Sequence, residues 1–294
     1  MILVSEKIST GEFMNIFKII LLLILFISGT ANAQGKQQKF QIDFNEIKGA
    51  LTSSDLMKKD FGRYHGFEIE LFQGESINFV VYSKKFQPGL ALINSKGEVF
   101  KQSMGNANGF ANLTASIPAS GNWILYVLGN EKALGDFTLQ TAIAEPNALT
   151  LDKNADICTI LDFLLSHANA YFLLLENKSD KNHEIVKLEN AIDAYLDEDN
   201  SSYDATLYDG TSSAQAEGLF KMESEKITAC LGSIWKAKST NWEKIEDYKM
   251  KSLELTEQKE DRPRYVIIAV NDRAGSKQKT SKRFQVKIEI GLVH

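Results

Sequence analysis

The sequence predicts two regions: an all-β antiparallel sandwich or barrel over residues 34–144, and an α+β domain with helices packed on an antiparallel sheet over residues 145–294. In the first region, short alternating segments are separated by glycine-containing turns, and no convincing helix interrupts them. In the second region, stretches with helical periodicity precede three alternating strands. A length of 294 residues fits two domains of ordinary size.

The composition is that of a globular protein with a mildly acidic charge. The chain is 44% hydrophobic and 24% charged, and 33 Lys and Arg against 38 Asp and Glu give a net charge of −5. Binding to a nucleic-acid backbone needs a surplus of basic residues, so we expect no nucleic-acid partner. Two cysteines are too few for a disulfide scaffold or a four-cysteine zinc site.

Residues 1–33 are predicted to be a signal peptide, with Met14 as its start. Lys18 precedes nine consecutive apolar residues, Ile19 to Ile27, and small residues then lead to an Ala31-Asn-Ala33 cleavage site. The apolar run is too short for a membrane span, which needs about 20 residues. We therefore expect cleavage after Ala33, a mature chain without a membrane span, and export to the periplasm or the cell exterior.

The strands of the first region follow from alternation of apolar and polar residues. Phe67 to Leu71 alternates apolar residues with glutamates, as a strand with one buried face does. The other predicted strands are Ser76–Tyr82, a hairpin from Leu90 to Phe100, Asn112–Ile117, Trp123–Val127 and Asp136–Thr141. Alternation alone leaves a sandwich and a barrel as alternatives.

Several motifs of this region occur in an order known from one family. They are Gly49-Ala-Leu51, Gly62-Arg-Tyr-His65, Gln73-Gly-Glu75, Pro118-x-x-Gly121-x-Trp123 and Gly135-Asp-Phe-Thr-Leu139. Together they resemble the bacterial pre-peptidase C-terminal domain, a jelly-roll-like β-sandwich appended to exported proteins. The resemblance implies a sandwich that recognises a protein or polysaccharide partner.

Some domains of that family bind calcium, and the sequence departs from them at the residues concerned. This chain has Gln87 where relatives often carry aspartate, and its loop Gly105-Asn-Ala-Asn-Gly109 contains no carboxylate. Calcium is bound mainly by hard oxygen ligands, commonly carboxylates. We expect no metal and no cofactor. Asn106, Asn108 and the loop aromatic Phe110 remain as candidate ligand contacts.

The second region shows two helical patterns and several strands. A buried helix is predicted over Ile157–Leu175, with Asp156 near its start. Apolar residues of one helix face follow at Ile227, Cys230, Leu231, Ile234 and Trp235. The predicted strands are Asp204–Tyr208, Ala214–Phe220, Ser252–Glu257, Arg264–Asn271 and Arg283–Gly291.

Cys158 and Cys230 both fall on the predicted helices of this region. In an oxidising compartment they can form a disulfide. The alternative is a pair of buried free thiols that pack as small hydrophobic residues. The sequence leaves both alternatives open, because it does not fix the distance between the two Cα atoms.

No residues stand out as catalytic or metal-binding. The four histidines, His65, His167, His183 and His294, have no metal-site spacing, and neither a nucleophile elbow nor a phosphate-binding loop occurs. The basic loop Lys277–Arg283 is predicted to be a hairpin tip, with an anion-binding patch as the alternative.

These observations favour an exported, non-catalytic binding or adaptor protein with a protein or polysaccharide partner. The alternatives are an exported hydrolase with a site in the α+β domain, or a structural accessory of an envelope assembly. The sequence predicts no particular oligomeric state.

Overall fold

The computed structural model describes residues 40–59, 61–152, 154–175, 186–197, 202–259, 261–275 and 282–293. Some predicted features lie outside the described residues: the signal peptide with Met14, His183, His294 and residues 277–281 of the basic loop.

The N-terminal region is a sandwich of two antiparallel sheets. Its strands are β1 (Ile42–Leu51), β2 (Leu56–Lys58), β3 (Gly62–Leu71), β4 (Ser76–Tyr82), β5 (Gly89–Ile93), β6 (Val99–Met104), β7 (Phe110–Ser116), β8 (Gly121–Gly129) and β9 (Gly135–Ala144). Sheet A has the order β1-β9-β4-β7, and sheet B has the order β2-β3-β8-β5-β6. Side chains from both sheets share one apolar core, so the structure is a sandwich.

The alternation in the sequence matches the two faces of these strands. Leu71 is fully buried, Phe67 and Ile69 pack partly buried against the core, and Glu68 points to solvent. Each strand predicted in this region is confirmed within a few residues at its ends.

The C-terminal region combines a third antiparallel sheet with two helices. Its elements are α1 (Ile157–Ala168), β10 (Asp193–Asp197), β11 (Ser202–Gly210), α2 (Ser213–Leu231), β12 (Trp235–Ser239), β13 (Glu243–Ile245), β14 (Tyr248–Glu257), β15 (Arg264–Asp272) and β16 (Phe284–Leu292). Sheet C has the order β10-β11-β16-β15-β14-β12, and β13 pairs with β14. Both helices share an apolar core with one face of sheet C. The three strands predicted at the end of the chain are confirmed.

The predicted strand Ala214–Phe220 is wrong, because these residues belong to α2. The side chain of Ser212 caps the helix by accepting a hydrogen bond from the backbone N–H of Gln215. The buried positions Ala216, Phe220, Glu223 and Ile227 are then spaced by three or four residues, as on one helix face.

Both predicted helices also end earlier than the sequence indicated. α1 begins at the Asp156 cap as predicted but ends at Ala168, and Tyr171 and Phe172 then adopt positive φ angles that a helix does not allow. α2 ends at Leu231 before Gly232, whose φ is +69°, so Ile234 and Trp235 lie beyond the helix.

The turn segment, which we define as residues 169–175, belongs to the C-terminal region and packs against the N-terminal sandwich. It lies on the outer face of sheet A, where the Asn78 side-chain amide donates a hydrogen bond of 2.5 Å to the backbone oxygen of Leu173. The ring of Tyr171 packs edge-on against Phe44 of β1, with the ring centres 5.5 Å apart. Part of this outer face is therefore covered by the chain itself.

Within the described ranges, neither helix is both long and apolar enough to cross a membrane.

Candidate functional site

A row of four side chains crosses the outer face of sheet A away from the turn segment. The strand register places Lys48 opposite Thr138, Thr138 opposite Tyr82, and Tyr82 opposite Phe110. Directly paired residues of antiparallel strands point to the same face. We call Lys48, Thr138, Tyr82 and Phe110 the aromatic row. Their sequence neighbours Val81, Leu139 and Ala111 are buried in the core, so the row itself faces outward.

The neighbouring row of the same face carries three polar side chains, Glu46, Gln140 and Asn112, and the apolar Val80. The Gln140 side-chain amide donates a hydrogen bond of 3.0 Å to a Glu46 carboxylate oxygen on the neighbouring strand. Asn112 lies opposite Val80 in this row, and its side-chain carbonyl oxygen is buried without a hydrogen-bond partner within the described part of the chain. The aromatic row is therefore bordered by the amides of Gln140 and Asn112 and by the carboxylate of Glu46.

Loops at the end of the sandwich extend this surface into a groove of about 700 Å³. Its lining includes Lys48, Tyr82, Lys84, Lys85, Asp136 and Thr138. Ser83 holds the loops together, because its hydroxyl donates to the backbone oxygen of Asp136 at 2.7 Å and its N–H donates to that of Gly109 at 2.8 Å. A Cβ at Gly135 would lie 2.6 Å from the Cβ of Lys85, so glycine permits the close approach of these loops.

The groove is positively charged although the whole chain is acidic. Three lysines, Lys48, Lys84 and Lys85, line it with the single carboxylate of Asp136. Among the described residues, none of the three ammonium groups forms an ion pair with a carboxylate. A local surplus of positive charge attracts anions and raises their concentration at the surface.

The structure places one of the three predicted ligand contacts in this surface. Phe110 belongs to the aromatic row, where it is half-buried beside Tyr82, whose exposed fraction is 40%. Asn106 and Asn108 are exposed in the loop before Phe110. The Asn106 side-chain oxygen accepts hydrogen bonds from the backbone N–H groups of Asn108 and Phe110, so it stabilises the turn.

The sequence analysis did not identify the groove lysines, Lys48, Lys84 and Lys85, or Tyr82 as site residues. In the sequence, Tyr82 is the last residue of a predicted strand, and Lys84 and Lys85 are typical of an ordinary polar turn. Only the pairing of β4 with β7 and β9, and of β9 with β1, brings Tyr82 into one row with Phe110 and Lys48.

The two cysteines form a disulfide between Cys158 and Cys230, with their Cα atoms 5.1 Å apart. The bond connects the start of α1 to the end of α2. It decides between the two alternatives that the sequence left open, because neither thiol is free.

The described histidines have structural partners. His65 Nδ1 lies 3.0 Å from a carboxylate oxygen of Asp55 at the turn between β1 and β2. Burial raises the pKa of Asp55, but the hydrogen bonds from His65 and Thr52 outweigh that effect, so the pKa of this carboxyl lies below its usual value.

His167 lies in the C-terminal core. Its ring stacks on Phe163, with the ring centres 4.3 Å apart, and its Nδ1 lies 3.1 Å from the backbone oxygen of Phe163. Burial lowers the pKa of His167 to about 4, which the hydrogen bond to Phe163 offsets only in part. No group of three His, Cys, Asp or Glu residues within the described ranges has the geometry to hold a metal ion.

No protein-family model matches the chain. No curated protein matches it either.

Some solved structures resemble parts of the chain at low sequence identity. A periplasmic inhibitor of g-type lysozyme from Aeromonas hydrophila is 11% identical, with a TM-score of 0.26, and the match covers 37% of this chain and 90% of that one. The pre-peptidase C-terminal domain of a Bacillus anthracis collagenase is 18% identical, with a TM-score of 0.24, covering 34% of this chain and 87% of that one. A Bacillus endospore appendage, one of a family of disulfide-linked pili, is 10% identical, with a TM-score of 0.23, covering 40% of this chain and 99% of that one. At these TM-scores the matches carry no inference about function.

Proposed function

We propose that this protein is an exported, non-catalytic binding protein that holds an acidic polysaccharide on the outer face of sheet A. In this proposal residues 34–144 are a module of the pre-peptidase C-terminal type, and residues 145–294 are an α+β domain that carries it. The observation on which the proposal rests is the aromatic row together with Lys84 and Lys85 beside it, since none of the three lysines of this surface forms an ion pair with a described carboxylate.

The residue types of the site suit a sugar chain with carboxylate groups. Exposed aromatic rings such as Tyr82 pack against the apolar faces of sugar rings. Thr138 and Gln140 supply the hydroxyl and amide groups that hydrogen-bond sugar hydroxyls. Lys48, Lys84 and Lys85 pair with carboxylates, and their ion pairs at an open surface select the ligand by charge.

Two features support export. The predicted signal peptide ends at Ala33, and the Cys158–Cys230 disulfide is of a kind that persists in oxidising compartments such as the periplasm or the cell exterior. The polysaccharide of an envelope or a surrounding matrix is present in the same compartments, so the ligand and the site meet there.

Equilibrium binding to polygalacturonate, with neutral dextran as the comparison, tests the proposal. We expect binding to polygalacturonate that weakens with added salt, and none to dextran. The variant Lys84→Glu/Lys85→Glu should lower the affinity at least about tenfold, since it replaces two attractive ion pairs with repulsion. The matched control is Lys236→Glu/Lys238→Glu, which makes the same charge change at exposed positions of β12.

The outcomes separate the proposal from its alternatives. Equal loss of binding in both double variants would mean that only the net charge of the protein matters. Equally tight binding of polyglutamate would mean that the groove selects charge and not sugar. Either result, or no binding to polygalacturonate, contradicts the proposal.

A further inference from the structure

On one flank of the sandwich, two strand edges have no partner strand among the described residues. Strand β1 pairs with β9 over all of Ile42–Leu51, and no other described strand pairs with its second edge. On the opposite sheet, β3 pairs with β2 only over Gly62–Tyr64, and no other described strand pairs with the rest of its outer edge. Both edges border a groove of about 690 Å³, and the partly buried core residues Ile47 and Ile69 are among its lining. Residues of the C-terminal region complete the lining of this groove: Asn169, Lys259, Asp261 and Arg262.

The β1 edge lacks most of the sequence features that prevent a free strand edge from pairing with another chain. It contains no proline, and its register with β9 runs for ten residues without a bulge. Lys48 is its only lysine. A long, regular edge of this kind presents a row of free backbone N–H and C=O groups to another strand.

The charges of β1 are complementary to those of a second β1 in the opposite direction. When two copies are aligned antiparallel about Ile47, each Glu46 faces Lys48 of the second copy, which gives two opposite-charge pairs. The same alignment sets Phe44 opposite Ala50 twice and Ile47 opposite Ile47. In this alignment, even-numbered residues of one copy lie opposite even-numbered residues of the other, so the outer faces of both sheets A point the same way. The two sheets then form one continuous sheet.

We propose that the partner of this edge is a second copy of the chain, paired through β1 with Ile47 at the centre. The dimer joins two four-stranded sheets into one eight-stranded sheet. A single pair of strands buries less surface than a standard protein interface, so the dimer is weak and depends on concentration. This proposal does not depend on polysaccharide binding. Because Lys48 belongs both to the groove and to the β1 edge, the dimer is tested in the absence of any polysaccharide.

Sedimentation velocity of the full mature chain, over a roughly hundredfold range of concentration, tests the pairing. The wild type should shift from monomer to dimer as concentration rises. Glu46→Lys and Lys48→Glu, each studied alone, place like charges opposite each other twice, so each should weaken the dimer at least about tenfold.

An equimolar mixture of the two variants is the decisive sample. In the mixed dimer, the lysine introduced in one copy faces the glutamate introduced in the other, and the native Lys48 faces the native Glu46. We expect the mixture to regain the wild-type dimer affinity. Circular dichroism and melting of each variant check that the sandwich stays folded, and Lys236→Glu serves as a single-charge control on β12.

A wild-type chain that stays monomeric over the whole range would overturn the proposal. So would single variants that dimerise like the wild type, because the pairing then runs through another surface. A mixture no stronger than its components, in folded variants, would show that the Glu46–Lys48 alignment is wrong.

Discussion

The guanidinium of Arg262 lies 4.2 Å from the centre of the Phe44 ring. Phe44 belongs to the sandwich, whereas Arg262 lies in the loop before β15 of the C-terminal sheet. The same guanidinium lies 4.9 Å from the ring centre of Tyr171 and donates a hydrogen bond of 2.6 Å to the backbone oxygen of Asn169. One cation thus connects both regions through the turn segment.

Replacing Arg262 should destabilise the contact between the regions. Arg262→Ala removes two cation–π contacts and a charged hydrogen bond, and we expect the free energy of unfolding to fall by about 2 kcal/mol. Arg262→Lys keeps the charge but not the flat guanidinium, so it should recover only part of that loss. Denaturant unfolding monitored by tryptophan fluorescence measures both. Identical curves for all three proteins would show that the cation contributes nothing to stability.

The strands of the sandwich could be predicted because their alternation is local. Segments such as Phe67–Leu71 have one buried face, and the sequence shows it directly. The start of α2 was misassigned because Ala214, Ala216 and the polar residues between them alternate as in a strand. The Ser212 cap and the burial of Phe220 and Ile227 on one helix face outweigh that alternation.

The candidate site could be predicted only in part, and the reason is register. Phe110 stood out as an aromatic residue in a polar loop. Tyr82 and Lys48 are 28 and 62 positions away from it in the sequence, and they reach the same row only through the pairing of four strands. Pairing between strands distant in sequence leaves no local pattern.

The ring of Tyr82 should contribute directly to polysaccharide binding. We expect Tyr82→Ala to weaken polygalacturonate binding about tenfold, because it removes the exposed stacking surface, and Tyr82→Phe to have little effect. Tyr195 on β10 is the matched control, with an exposed fraction of 41% against 40% for Tyr82. Tyr195→Ala should bind like the wild type. Loss of affinity in Tyr82→Phe as large as in Tyr82→Ala would assign the effect to the hydroxyl instead.

The disulfide should stabilise the C-terminal region strongly. Cys158 and Cys230 are separated by 72 positions, and on chain-entropy grounds a crosslink of that span stabilises by about 4 kcal/mol. Cys158→Ser/Cys230→Ser should therefore unfold at clearly lower denaturant, and reductant should lower the stability of the wild type but not of the variant. Non-reducing mass spectrometry should show two hydrogens fewer than the sum of the residues. Alkylation of both cysteines in folded, unreduced protein would contradict the bond.

Protonation of His167 should make the fold sensitive to mild acid. Burial lowers the pKa of His167 to about 4 in the folded chain, while the unfolded chain has the ordinary value of about 6.5. Between these values the unfolded state binds a proton that the folded state does not, so stability is fully present above about pH 6.5 and falls as the pH drops toward 4. The whole loss amounts to roughly 3 kcal/mol at 1.36 kcal/mol for each pH unit.

His167→Gln removes this titration, and its unfolding free energy should change less between pH 7 and pH 4.5 than that of the wild type, whatever its absolute stability. The other acid-sensitive groups are the same in both proteins, so equal pH slopes would mean that His167 is protonated in the fold as readily as in the unfolded chain.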